Sequence, residues 1–213
     1  MENNRTKFYR HIAQTSPFPL GYEIERAKGV YLYGQNGFKF IDLIAGIGVS
    51  NIGHCHPKIV KAVQDQVEKY MHLMVYGEFI QSPQVQLAEA ISSTLPESIN
   101  GIYFVNSGTE ATEGAMKLAK RSTGRAQIIA AKKAYHGSTQ GALSLQSEEE
   151  FSQPFRPLLP GIDFITYNDV SDLSKISTNT AAVILETVQG ESGVRVSSAG
   201  YLKAVKKRCE EVG

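Results

Sequence analysis

From residue 56 onward, the apolar positions follow two alternating rhythms. Pro57 opens a segment in which Ile59, Val60, Val63 and Val67 recur at helical spacing. Ser82-Pro83 opens a second, with Val85, Leu87, Ala88 and Ile91 before Pro96 closes it. Short apolar runs at 101–105, 126–130, 162–166 and 181–185 predict strands, and the patterns at 109–121 and 200–211 predict helices. Apolar strands separated by helices argue for an α/β chain, with a mainly parallel sheet covered on both faces. In such sheets ligands gather at the carboxyl ends of the strands. The first fifty residues read differently. An amphipathic segment at 6–14 precedes two β-prone runs, 30–33 and 38–41, around Gly34-Gln35-Asn36-Gly37, a hairpin signal. The pattern therefore divides into residues 1–50 and 51–213. The last helix stops on Gly213, where the alternation predicts a further strand.

Composition narrows the function classes. Lys plus Arg is 22 and Asp plus Glu is 21, so no single-sign field draws the chain to nucleic acid or to an anionic membrane. No apolar run reaches membrane-spanning length, and the polar start carries no signal-peptide core. Two cysteines, Cys55 and Cys209, exclude a disulfide scaffold and fit a reducing, cytoplasmic setting. His54-Cys55-His56 lacks a second ligand pair at zinc spacing, so no metal site is expected.

The chemistry concentrates after residue 105. Between the strand ending at Val105 and the helix beginning near Thr109 lie Asn106, Ser107 and Gly108. The first turn of a helix has unpaired N–H groups at the positive end of its dipole. Gly108 allows close approach, and Ser107 and Thr109 add hydroxyls, so the stretch suits a phosphate. It equally suits a plain capping box, with Ser107 as cap and Glu110 as its partner. No Gly-Lys-Ser/Thr follows for a Walker loop, and Gly46, Gly48 and Gly53 have the wrong interval for a dinucleotide fingerprint.

Asn106-Ser107-Gly108-Thr109-Glu110-Ala111-Thr112-Glu113-Gly114-Ala115-Met116-Lys117-Leu118-Ala119 resembles the cofactor-phosphate segment of the class III aminotransferases, the acetylornithine, ornithine and 4-aminobutyrate group, which use pyridoxal phosphate. Three further blocks agree in order and spacing. Asp42-Leu43-Ile44-Ala45-Gly46-Ile47-Gly48-Val49 with Gly53-His54-Cys55-His56-Pro57 is similar to the family's N-terminal signature. Ala134-Tyr135-His136-Gly137-Ser138 is similar to its cofactor-stacking segment, and Glu186-Thr187-Val188-Gln189-Gly190-Glu191 to its glutamate segment. The resemblance covers residues from about 20 to the end. It implies a fold-type I pyridoxal-phosphate transferase with α/β/α layers, truncated, carrying part of a small N-terminal α+β domain in residues 1–50 and the first part of the large domain in 51–213.

The resemblance also implies roles. The amides of Gly108 and Thr109 and the Thr109 hydroxyl hold the phosphate, with Ser107 in support. Tyr135 stacks on the ring, a contact of ~1 kcal/mol beyond burial; by position alone it is equally a rim or core tyrosine. His136 is a structural neighbour of the cofactor rather than a base. Glu186 lies beside the cofactor, and Glu191 pairs with an arginine that otherwise receives the substrate carboxylate; two solvated loop acids are the plain alternative. Ile47 faces the substrate chain or packs in a core. Ser138 stands where acetylornithine enzymes commonly carry an arginine, and a serine cannot make that bidentate contact. Thr187 replaces the usual proline. The aspartate that pairs with the pyridine nitrogen and the Schiff-base lysine lie, in the family, beyond the position of Gly213. No catalytic residue is therefore assigned here, and the chain alone is expected to be inactive. The implied activity moves an amino group from an ω-amine to a 2-oxo acid such as 2-oxoglutarate, in a homodimer. The stretch 70–77 is core by its apolar and aromatic composition, or interface surface as the family's corresponding region implies. A glutamate-1-semialdehyde aminomutase-like enzyme and a non-catalytic phospholigand-binding module are the alternatives.

Overall fold

A computed structural model describes residues 2–74 and 77–213. Val75 and Tyr76, within the possible interface stretch 70–77, lie outside the described residues. Contacts divide the chain into two compact units, Met1–Gln86 and Leu87–Gly213.

The first unit opens with helix α1, Asn4–His11, capped by Asn3, whose side-chain oxygen accepts the Thr6 N–H at 2.9 Å. This cap starts the helix earlier than the apolar spacing at 6–14 predicts. A three-stranded antiparallel sheet follows, β1 (Ile24–Lys28), β2 (Tyr31–Gly34) and β3 (Lys39–Ile41). The sequence reading missed β1, because Glu25, Arg26 and Lys28 mask any apolar alternation. Its pairing explains their tolerance: Arg26 is opposite Tyr33 in register and its guanidinium lies 3.5 Å from that ring's centre. Lys39 sits likewise over Tyr31 at 3.6 Å. Cation–π stacking on half-buried rings keeps charged residues in a sheet. The β2–β3 connection is a 3-10 turn over Gln35–Gly37, with Gly37 at positive φ, rather than a two-residue Asn-Gly turn.

The glycine-rich block forms a tight turn, α2 (Ala45–Gly48), in which Ala45, Gly46, Ile47 and Gly48 all have positive φ. Asp42 holds it, accepting the N–H groups of Ile44 at 3.1 Å and Ala45 at 2.8 Å, while its other oxygen meets His54 Nε2 at 2.7 Å. The Ala45 N–H first, and then His54, hold the Asp42 carboxyl below the usual aspartate value. Helix α3, Pro57–Val67, starts on its proline as expected, and α4 covers Ser82–Ser92.

The second unit is layered. Strands β4 (Gln127–Ala131), β5 (Ile162–Ile165) and β6 (Thr180–Ile184) form a parallel sheet in the order β5-β4-β6. Alternate residues of β4 serve opposite faces. Ile128 and Ala130 pack with Met116 of α5 (Gly108–Thr123). Ile129 and Ala131 pack with Tyr201 and Val205 of α8 (Tyr201–Val212). Helices on both faces give an α/β/α arrangement. Between these elements lie the short helices α6 (Gln140–Ser144) and α7 (Glu149–Ser152) and the ribbon β7 (Val188–Gln189) and β8 (Arg195–Val196). Arg125 ties the sheet to α8 by donating to the carbonyls of Thr180 and Val212 at 3.1 and 3.2 Å.

One expectation fails. Residues 101–105, read as a strand, join no ladder among the described residues. The apolar composition was local, whereas a strand is defined by pairing with a neighbour, which composition does not report. No helix among the described residues is long and apolar enough to cross a membrane.

Two predictions follow from this packing. Ile129→Ala should cost about 2–5 kcal/mol in urea unfolding, while Leu118→Ala, 67% exposed, should change it by less than about 0.5 kcal/mol. Asp172, which accepts the Thr166 N–H at 2.7 Å and pairs with Lys175, has its carboxyl lowered from 3.8 to about 2. A lowered folded-state value stabilises the fold above the unfolded value and loses that contribution as pH falls from 3.8 toward 2. Replacing it, Asp172→Asn, should flatten acid unfolding in that window; an unchanged profile would discount the contact.

Candidate active site

The start of α5 is built as a reciprocal cap. Ser107, with extended backbone, accepts the Glu110 N–H on Oγ at 3.2 Å, and the Glu110 carboxylate reaches back to the Asn106 N–H at 2.6 Å. The capping reading is therefore real, yet it leaves donors free. Among the described residues, the Gly108 and Thr109 N–H groups meet no protein acceptor. A Cβ added to Gly108 would meet nothing within 4 Å. Two amides at the positive end of a 16-residue helix, beside open space, suit an anion.

The segment that follows β4 passes directly over this helix start. Thr139 donates its N–H to Thr109 Oγ1 at 3.3 Å, and the two hydroxyl oxygens are 2.7 Å apart. Thr112 donates to the His136 carbonyl at 2.9 Å. Glu113 accepts from Thr139 Oγ1 at 2.6 Å and from the Gly141 and Ala142 N–H groups at 2.9 and 3.3 Å. Gly137, at φ 124, lets the chain come this close: a Cβ there would overlap the Thr109 side chain and lie 2.9 Å from its Cα.

The same segment carries the aromatic candidate. Tyr135 is 49% exposed and held at both ends. Its N–H donates to Glu186 Oε1 at 2.9 Å, and its hydroxyl lies 3.1 Å from Ser138 Oγ. Glu186, just past the carboxyl end of β6, takes the Gly190 N–H on its other oxygen at 3.0 Å. His136 buries Nε2 with no hydrogen-bond partner among the described residues. Burial pushes its imidazole below the ordinary histidine value, with the Glu186 charge partly opposing, so it is neutral at pH 7.

Seven of the nine residues singled out from the sequence thus meet in one connected network: Ser107, Gly108, Thr109, Tyr135, His136, Ser138 and Glu186. Glu191 is exposed and makes no ion pair among the described residues. Ile47 belongs to the other unit, 79% exposed on its positive-φ turn. Sequence reasoning missed Thr112, Glu113 and Thr139. Glu113 lies four residues after Thr109, on the same helix face, and that spacing was the available signal. Its partners 26 to 29 residues away were not readable. Among the described residues, no cluster of three His, Cys, Asp or Glu could hold a metal.

Comparison with known proteins places this network in context. The profile of the family described as aminotransferase class-III matches residues 12–213. An acetylornithine aminotransferase of Methanopyrus kandleri is 41% identical over 206 residues, covering 95% of this chain and 51% of its own length. A [LysW]-aminoadipate semialdehyde/glutamate semialdehyde transaminase of Sulfolobus acidocaldarius is 37% identical over 194 residues, with coverage of 91% and 49%. The ornithine aminotransferase of Toxoplasma gondii, a crystal structure with pyridoxal phosphate at partial occupancy in its active site, superposes with a TM-score of 0.82 at 27% identity. That match covers 97% of this chain and 50% of the other. The chain therefore spans about half the length of these relatives.

The close crossing at Gly137 generates a prediction. Gly137→Ala should destabilise the second unit by about 2 kcal/mol or more in chemical unfolding. Gly190→Ala, whose Cβ would meet nothing within 4 Å, should be nearly silent. Equal effects at the two positions would show that the crossing is not tight.

Proposed function

This chain belongs to the class-III aminotransferase family, and from that premise we propose that the protein transfers an amino group from an ω-amine to a 2-oxo acid such as 2-oxoglutarate. The donor is of the acylornithine, ornithine or 4-aminobutyrate type. Its amine carbon ends as an aldehyde and the 2-oxo acid as an amino acid. The cofactor of this family is pyridoxal 5'-phosphate. The observation that carries the reading is the free pair of amides at the start of α5, with the ring of Tyr135 tethered on the segment crossing it.

The residues present fit that group. Gly108 and Thr109 offer N–H donors and a helix dipole to a dianionic phosphate, and Ser107, whose Oγ already accepts the Glu110 N–H, keeps its own hydrogen to donate. Tyr135 supplies a flat face for the pyridine ring. His136, neutral and half-buried, adds bulk without a competing charge. When bound, the cofactor supplies an electron sink that stabilises negative charge at the carbon carrying the amino group. Glu186 fixes the backbone at Tyr135 and Gly190, which sets the ring face. Ile47, Ser138 and Glu191 are assigned to the substrate side. Ser138 offers a hydroxyl rather than a guanidinium, so a donor α-carboxylate gains no bidentate charged contact there.

The proposal extends to organisation. Residues 1–50 belong to the small domain and 51–213 to the first part of the large one, and the protein works as a homodimer in the cytoplasm. None of the chain's lysines lies in the family's Schiff-base context, so these 213 residues capture the phosphate without turnover.

A titration tests this. Gly108 occupies the first helical position and follows the extended Ser107, so Gly108→Pro deletes one N–H with little cost to the helix. Pyridoxal phosphate should bind the chain about tenfold tighter than pyridoxal, and Gly108→Pro should erase most of that difference. Equal affinity for both ligands, indifferent to Gly108→Pro, would remove the phosphate cup and the reading with it.

A further inference from the structure

The hydrogen-bond directions at the α5 crossing can be resolved one by one. Glu113 Oε1 accepts two backbone N–H groups, from Gly141 and Ala142, so that oxygen carries no hydrogen of its own. Thr139 Oγ1, 2.6 Å away, must therefore be the donor to it. A hydroxyl has one hydrogen, and that of Thr139 is now committed. The contact of 2.7 Å between the Thr109 and Thr139 hydroxyl oxygens consequently runs the other way, with Thr109 donating. Thr109 Oγ1 in turn accepts the Thr139 N–H at 3.3 Å.

We infer that Thr109 serves a bound phosphate with its amide alone, and that its hydroxyl, Thr139 and Glu113 form a positioning relay for the segment carrying Tyr135. This deepens the proposed function and rests on it for the identity of the ligand. The relay orders donors in one direction, from Thr109 to Thr139 to a carboxylate, and a charged acceptor at the end strengthens each link. It reaches three points of the crossing segment: the N–H of Thr139 and those of Gly141 and Ala142 at the start of α6. Two glycines are shaped to it. A Cβ at Gly137 would overlap Thr109, and one at Gly141 would overlap the Glu113 carboxylate. Both contacts lie between α5 and the segment itself, so the ring of Tyr135 is placed by α5 rather than by its own strand alone.

The test uses amide hydrogen exchange and pyridoxal phosphate titration on the chain and its variants. Thr109→Val and Glu113→Gln should each raise exchange at Thr139, Gly141 and Ala142 by about tenfold and weaken pyridoxal phosphate by a similar factor. Because both act through one relay, the double variant should be no worse than the weaker of the two singles. Thr109→Ser keeps the hydroxyl and should match the unsubstituted chain in both readouts. Three results would overturn the inference. The first is weakened binding in Thr109→Val with unchanged exchange and a silent Glu113→Gln, the signature of a hydroxyl on the ligand. The second is losses that multiply in the double variant, and the third is Thr109→Ser behaving like Thr109→Val. If the unsubstituted chain does not bind pyridoxal phosphate, the proposed function fails, and exchange alone decides the relay: a rise in both single variants supports it, and no rise overturns it.

Discussion

The passage of the segment after β4 across the first turns of α5 is the constraint from which the candidate site follows. Backbone comes against helix at van der Waals distance only because Gly137 and Gly141 have no side chains. That closeness lets a carboxylate, three threonine hydroxyls and four backbone groups find hydrogen-bond partners across the crossing. Each of these polar groups would cost free energy if buried alone, and together they satisfy one another. Among the described residues, the amides of Gly108 and Thr109 at that helix end take no part in this internal satisfaction.

The sheet makes this crossing reproducible. β4 is buried on both faces, with α5 contributing Met116 to one and α8 contributing Tyr201 and Val205 to the other. A strand fixed on two sides has little freedom in where its carboxyl end emerges. The loop that leaves it starts from a defined point, and α5, packed on the same strand, presents its N-terminus from another defined point. Glu186 adds a third anchor from the end of the neighbouring β6. The site is thus set by three elements of one core.

What the sequence revealed depends on how local each signal is. The helices from Pro57, Ser82 and Gly200 and the three paired strands were readable, because hydrophobic period and caps are properties of the segment itself. The helix at residues 4–11 was shifted in the reading because the Asn3 cap outweighs a weak apolar stripe. β1 was invisible because its charged residues mask the alternation, and Arg26 is accommodated by Tyr33 on the next strand, a fact of pairing. Residues 101–105 erred in the opposite direction, with strand composition but no ladder. The site divides the same way. Ser107, Gly108 and Thr109 announce themselves through a helix start and Glu186 through its place at a strand end, whereas Tyr135 was legible only through the resemblance of the block around it. Glu113 and Thr139 take their meaning from each other, across 26 residues of chain.

The placement of Glu186 also resolves an electrostatic difficulty. A carboxylate in a site built for a dianion would ordinarily oppose the ligand, since like charges in a partly desolvated cleft repel. Here each carboxylate oxygen accepts a backbone N–H, one from Tyr135 and one from Gly190. Amide dipoles meet its charge locally, while the amides and dipole that open α5 are left for the proposed anion. His136 beside it is held neutral by burial, so it neither cancels Glu186 nor adds a mobile proton. The charges are therefore separated: the carboxylate orders the backbone at Tyr135 and Gly190, and the start of α5 turns the positive end of its dipole to open space.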